Sequence, residues 1–262
     1  MKAPIKYYGG KGTMYNRILE HFPPAGSYRT YIEPFGGSYA IGLSMPYVPP
    51  VEIYNDLEKN VYSLYKVLSD RALFDEFKSR CDLAFYSDDL RKEYRQLLKN
   101  PGLSLSDRTF YYFYVNRTSH NGIGGFCINT VARRGMSKSV SDMLSTIDRL
   151  PQLHDRLSRL VCTDMDGVTL IRRFSQRSDV FMYCDPPYEQ STRTAARYKV
   201  DMNTSSHKEF IEACTECKAK LLVSGYDCEL YGKLTERNFT KFQFPVNTTC
   251  NNGTPKTKIE TL

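Results

Sequence analysis

The stretch DVFMYCDPPY, Asp179 to Tyr188, limits the fold more than any other part of the chain. An apolar run of strand length, Asp179–Cys184, meets an acid, two prolines and an aromatic with no spacer between them. Each proline fixes its own φ and turns the preceding residue away from helix. Asp185, Pro186, Pro187 and Tyr188 are therefore expected to form a stiff, extended tip at a strand's carboxyl end. In open α/β sheets ligands bind there, and the acid and the ring are expected to be presented rather than buried.

Other segments fit such a sheet. Strands are expected at Thr30–Ser38, broken by a Pro-Gly turn, and at Val51–Asp56, Arg159–Thr163, Lys220–Gly225 and Phe239–Val246, with a last one in KTKIETL. Leu57–Leu68 has apolar residues at helical spacing, as does Ser206–Lys218, which a capping box from Ser206 to Glu209 would open. Between Ser69 and Leu157 helical stretches alternate with the Gly-, Asn- and Arg-rich loop NRTSHNGIGGFCINTVARRG. The pattern predicts a doubly wound α/β sheet interrupted by a mostly helical, basic insertion. A length of 262 residues suits one domain with such an insertion.

Composition narrows the partners. No run of about 18 apolar residues exists, so no membrane span is expected, and the N-terminus lacks an apolar signal region. A net charge of +7 favours polyanions. The 20 Tyr and 14 Phe suit base stacking, although most rings in any chain serve the core. Of the eight cysteines, Cys162 and Cys184 fall inside apolar strands as small hydrophobes. Cys214 and Cys217 form a C-x-x-C without a second pair at zinc spacing, so no metal is expected.

Two further motifs carry acids or glycines. EPFGG follows the first strand, and Asp56 lies 20 residues beyond Gly36. That spacing suits a carboxylate gripping the ribose of an adenosine cofactor; the alternative is a tight turn with Asp56 as a helix N-cap. YYGGKG near the start lacks the glycine spacing of a phosphate loop, so Lys11 would meet a carboxylate or phosphate on its own, or stay an ordinary surface lysine.

The Asp185 tip has a chemistry of its own. The lone pair of a purine's exocyclic amine is delocalised into the ring, so the nitrogen is a poor nucleophile. A carboxylate and the Pro186 carbonyl could each accept one N–H and draw that nitrogen towards tetrahedral geometry, with Tyr188 stacked on the ring. The ordered set KYYGGKG, EPFGGS, NDLEKNVYSLY, FYVNRTSHNG, YCDPPY, LLVSGYD and NNGTPKTKIETL resembles the Dam-type DNA adenine-N6 methyltransferases across nearly the whole chain. The resemblance implies a seven-stranded S-adenosylmethionine-dependent methyltransferase sheet. It places the catalytic domain in 1–57 and 158–262 and a DNA target-recognition insertion in 58–157.

It also implies roles. Asp185, Pro186 and Tyr188 would hold a flipped adenine. Tyr7, Lys11, Glu33, Phe35, Gly36, Ser38, Asp56, Asp164 and Asp185 would line the cofactor, with Asp56 on its ribose and Asp164 at its adenine. Arg117, His120, Asn121, Arg133, Arg134 and Lys138 would meet double-stranded DNA. Neither a metal nor a covalent intermediate is needed, and no Pro-Cys dipeptide is present. A cytoplasmic setting follows, in a bacterial or phage-infected cell, with room for a restriction endonuclease counterpart. Two departures separate this chain from relatives that read GATC. His120 stands where they carry an aromatic before Asn-Gly, and Gly124, Gly125 and Phe126 stand where they carry a base-reading arginine. Adenine therefore carries over as the target, and GATC does not. The family's chains usually run a little past the position of Leu262. The rival readings are a methyltransferase for RNA or protein amides, and a catalytically silent DNA-binding relative.

Overall fold

The computed structural model describes residues 1–7, 9–189, 201–237, 239–248 and 256–262. Tyr8 and the Asn251-Asn252-Gly253 start of the late motif lie outside them. The chain divides into two compact units, one made of Met1–Gly12, Gly37–Ser44 and Glu58–Cys162, the other of Thr13–Gly36, Met45–Leu57 and Thr163–Leu262.

The central sheet has five parallel strands: β1 (Thr30–Glu33), β2 (Val51–Asn55), β5 (Leu160–Thr163), β6 (Val180–Cys184) and β7 (Lys220–Val223). Their order is β5-β2-β1-β6-β7, with β1 in register against both β2 (Ile32 opposite Ile53) and β6 (Ile32 opposite Met182). Every residue of β1 and β6 is buried, as expected of parallel strands covered on both faces. Alternation sorts β6 by face. Val180, Met182 and Cys184 join the aliphatic core beneath helices α8 (Gly167–Phe174) and α9 (Thr204–Thr215). Phe181 points the other way, into an aromatic layer with Phe22, Tyr28 and Tyr31. Two short helices, α1 (Tyr15–Leu19) and α10 (Glu229–Thr235), also belong to the second unit.

A seven-stranded sheet was the expectation. The last two strands, β9 (Gln243–Thr248) and β10 (Lys256–Thr261), pair with each other, and β10 also pairs with the two-residue β8 (Gly225–Tyr226), in an antiparallel sheet of three. Phe242 and Leu262 extend that pairing by exchanging two backbone hydrogen bonds of 2.9 Å. Helix α9 also starts earlier than expected. Asn203, whose side chain accepts from the amide of Ser206, caps it in place of Ser206. His207 beside it is fully buried, with Nδ1 3.0 Å from the Tyr231 hydroxyl.

The first unit contains the helices α2 (Lys59–Ser69), α3 (Arg71–Asp82), α4 (Asp88–Leu97), α5 (Leu105–Thr118), α6 (Lys138–Ile147) and α7 (Leu150–Leu157). Buried side chains lie all round α5, among them Phe110, Tyr112, Phe113, Tyr114 and Asn116, so it is the unit's central helix. Asn116 also fastens the N-terminal segment. Its side chain accepts from the Lys6 amide at 2.9 Å and donates to the Lys6 carbonyl at 2.7 Å. Asn116→Ala strips both partners from a part-buried backbone and should cost about 1–3 kcal/mol of stability. A urea titration of the variant against wild type reads that loss.

Candidate functional site

Strand connections identify where a ligand would enter the sheet. From β1 the chain moves outward to β2, whereas β6 leads to β7 on the opposite side. The switch point therefore falls between β1 and β6, the place where open α/β sheets bind ligands. Glu33-Pro34-Phe35-Gly36 leaves the carboxyl end of β1 there, and Asp185-Pro186-Pro187-Tyr188 leaves that of β6.

One side chain ties the neighbouring loops together. Asn55, the last residue of β2, is fully buried. Its Nδ2 donates to the carbonyls of Pro34 (2.7 Å) and Met165 (2.9 Å). Its Oδ1 accepts from the Thr163 hydroxyl (2.8 Å) and the Met165 amide (2.9 Å). Two donors and two acceptor sites are all the amide has, and all are used. Its backbone carbonyl accepts from Gly36 at 2.8 Å. The ends of β1, β2 and β5 are thus fixed by one residue that the sequence reading did not single out. Its only signal was a polar residue closing a buried strand.

The acids sit on this ledge. Glu33 is buried and accepts a 2.8 Å hydrogen bond from the Tyr31 hydroxyl. Asp56 follows Asn55 and is also buried. It is not the helix cap: Glu58 caps α2, accepting from the amides of Asn60 and Val61. Gly36 has no room for a side chain, because a Cβ there would run into the Tyr54 ring. Phe35 packs against Gly167 at the start of α8 and edge-on to Phe210, with centroids 5.7 Å apart. Asp164 is exposed.

At the β6 tip, Asp185 is half-buried and Pro186 buried. Tyr188 is only 8 % exposed. The ring is therefore less open than the extended-tip expectation, because it rests on Tyr226 and its hydroxyl donates to Glu260 at 3.0 Å. Cys184, directly before Asp185, is held as a neutral thiol. Complete burial, with the Cys214 thiol beside it, pushes its pKa well up. Cys214 and the half-buried Cys217 belong to the same apolar cluster.

In the first unit Lys11 is buried, at 3 % exposed, together with Ser38, while Tyr7 is half-buried. The stretch from Arg117 to Lys138 places its residues unequally. His120 and Asn121 are exposed, Asn121 with a left-handed φ of 50° that asparagine tolerates. Arg117 turns inward and donates to the Asp142 carbonyl at 3.1 Å; burial pushes its pKa down to about 10. Lys6 donates to the Arg117 and Ser119 carbonyls, and burial followed by the nearby Arg117 charge lowers its pKa. Arg133 lies on a two-stranded hairpin, β3 (Ala132–Arg133) and β4 (Met136–Ser137). Its turn, Arg134-Gly135, has two positive φ values (57° and 74°), as a type I′ turn requires. Exposed ion pairs hold these cations: Arg133 to Asp142 at 2.5 Å, Lys138 to Asp142 at 3.2 Å and Arg134 to Asp148 at 3.7 Å.

Comparison with known proteins finds a family for the chain. The profile of the D12 class N6 adenine-specific DNA methyltransferases matches residues 7–248. Two similar proteins are the DNA adenine methylases of Vibrio cholerae serotype O1 strains, one Classical Ogawa and one El Tor Inaba. Each is 26 % identical over 205 residues, covering 74 % of this chain and 68 % of the relative.

The Asn55 clasp makes a sharp prediction. Asn55→Ala leaves two carbonyls, an amide and a hydroxyl without their partner and should cost roughly 3 kcal/mol or more. Asn55→Asp, which cannot donate, should not rescue it; chemical denaturation of the three proteins gives the comparison.

Proposed function

The chain belongs to the D12 class N6 adenine-specific DNA methyltransferase family, and we propose that it carries a methyl group from S-adenosylmethionine to N6 of an adenine flipped out of duplex DNA. The observation that carries the reading is the position of Asp185-Pro186-Pro187-Tyr188 directly after β6, across the switch point from the Glu33–Gly36 loop.

The residues suit the cofactor. Asp56 offers a carboxylate for two ribose hydroxyls at the end of β2, Gly36 brings backbone close, Phe35 and Glu33 wall the loop, and Asp164 is open to an adenine ring. The motif resemblance assigns the same ligand to Tyr7, Lys11 and Ser38. When bound, S-adenosylmethionine supplies an electrophilic methyl on a sulfonium. Asp185 and the Pro186 carbonyl accept the two N–H bonds of the target amine, so its lone pair is released from the ring. Asp185 then takes up the proton that the methylated nitrogen sheds. Rigid acceptors need little rearrangement during reaction, and the double proline makes them rigid. Tyr188 stacks on the base. Flipping costs a few kcal/mol, which backbone contacts and the pocket offset.

We assign the target-recognition insertion to 58–157, with Arg133, Arg134 and Lys138 at phosphates and His120 and Asn121 nearer the bases. Arg117 would act through the shape of the loop. The hairpin β9–β10 would complete the seven strands of the family sheet. Among the described residues no helix is long and apolar enough to cross a membrane, and a cytoplasmic setting fits a DNA substrate. A restriction endonuclease reading the same sequence is the counterpart to seek in the same genome.

The test is direct. Incubation with S-adenosylmethionine and unmethylated duplex DNA, then digestion and mass spectrometry, should yield N6-methyladenine, and mapping the product gives the site. RNA of the same sequence should stay unmodified; methylation of RNA alone would overturn the duplex-DNA reading. Asp185→Ala should leave cofactor affinity largely intact and slow transfer by roughly 10²-fold or more. The double variant Arg133→Ala, Arg134→Ala should weaken binding to all duplexes, with the salt slope reduced by about one for each phosphate that is no longer neutralised. A binding titration over a salt series measures it.

A further inference from the structure

Glu260 lies far along the chain from the tip and is 2 % exposed. Antiparallel pairing sets it on β10 opposite Tyr226 of β8 and Phe244 of β9. Its carboxylate accepts from the Tyr188 hydroxyl, 3.0 Å from Oε1 and 3.2 Å from Oε2, and from the Ser224 hydroxyl at 2.6 Å. The Ser224 amide in turn donates to the Cys184 carbonyl at 2.8 Å. Asp185, Pro186 and Pro187 are therefore spanned from both ends. Cys184 is held by the backbone of Ser224, Tyr188 is held by Glu260, and Ser224 bonds Glu260. The Tyr188 ring rests on Tyr226, with centroids 4.4 Å apart, and Tyr226 is the cross-strand partner of Glu260.

A buried carboxylate is costly to dehydrate, and apolar residues of similar volume would pack a strand at less cost. What the carboxylate adds here is direction: it fixes the Tyr188 hydroxyl, and with it the plane and depth of the ring. Building on the adenine methyltransferase reading above, we propose that Glu260 is a positioning residue for the reaction, setting through Tyr188 the plane on which the flipped adenine stacks beside Asp185. Small displacements of a reacting group slow a reaction steeply, so the bond from β10 acts on turnover without touching the substrate.

The test uses wild type, Glu260→Gln, Glu260→Ala, Tyr188→Phe and the double variant Tyr188→Phe, Glu260→Ala. Turnover is measured on unmethylated duplex DNA. Flipping is read by fluorescence of a duplex carrying 2-aminopurine at the methylated position, and S-adenosylmethionine affinity by calorimetry. Glu260→Ala should lower kcat by roughly 10-fold or more and change the 2-aminopurine signal, with cofactor affinity within about twofold of wild type. Glu260→Gln, which keeps an acceptor, should recover most of the rate. Tyr188→Phe should lower kcat likewise, and adding Glu260→Ala to it should cost little more, because both remove one interaction. Wild-type kcat in Glu260→Ala, or losses that simply multiply, would overturn the proposal. If Glu260→Ala does not fold, Tyr188→Phe, which removes the same hydrogen bond from its other end, carries the comparison, and wild-type kcat in it would overturn the proposal. A wild-type protein that methylates no DNA sinks the activity, and the positioning role with it. The contact is then judged separately, as a coupling in thermal stability between Tyr188→Phe and Glu260→Ala.

Discussion

The saturated amide of Asn55 is the interaction on which the ligand end of the sheet depends. Ladder hydrogen bonds fix parallel strands along their length, but they stop where the loops begin. Here one side chain spends both donors on Pro34 and Met165 and both acceptor sites on Thr163 and Met165. Partners of fixed polarity admit one amide orientation, since a flip would set donor against donor at the Met165 amide. The backbone from Glu33 to Gly36 and from Thr163 to Met165 is therefore placed relative to the end of β2. Asp56, the next residue, inherits that placement.

Support of the acids is divided among neighbours in a consistent way. Tyr31 holds Glu33 from two residues earlier on the same face of β1, as the strand's period of two allows. Glu58 takes the capping of α2, so Asp56 does not have to supply it. On the far side of the switch point the two prolines stiffen the tip from within. Ser224, Tyr226 and Glu260 brace it from neighbouring strands.

Much of this was legible in the chain, for physical reasons. Strand β6 announces itself because a parallel strand buried on both faces needs an unbroken apolar run, VFMYC; β1, β2 and β7 show as short runs rich in β-branched, aromatic and aliphatic residues. The tip announces itself because two prolines have few conformations. The start of α9 was misplaced because Asn203 and Ser206 are both good caps, and only tertiary packing chooses between them. Asn55 and Glu260 were unreadable for a different reason. Each does its work through partners distant in sequence, 72 residues in the case of Glu260 and Tyr188, and register across strands is invisible in composition. Burial of Tyr188 escaped for the same reason, because the Tyr226 ring that covers it arrives from another strand. Arg117, expected from its motif to meet DNA, stands in the last turn of α5 and donates to the Asp142 carbonyl, a partner 25 positions on that the motif does not show.

The attachment of Lys6 to Asn116 has a consequence during synthesis. These residues are 110 positions apart, and a ribosome adds about 5–20 residues per second. Lys6 must therefore wait roughly 5–20 s for its partner helix. Their unit closes only after the segment Glu58–Cys162 has emerged. Until then Ile5, later buried, has no core to enter, and an apolar side chain stays open to water beside the basic Lys2 and Lys6.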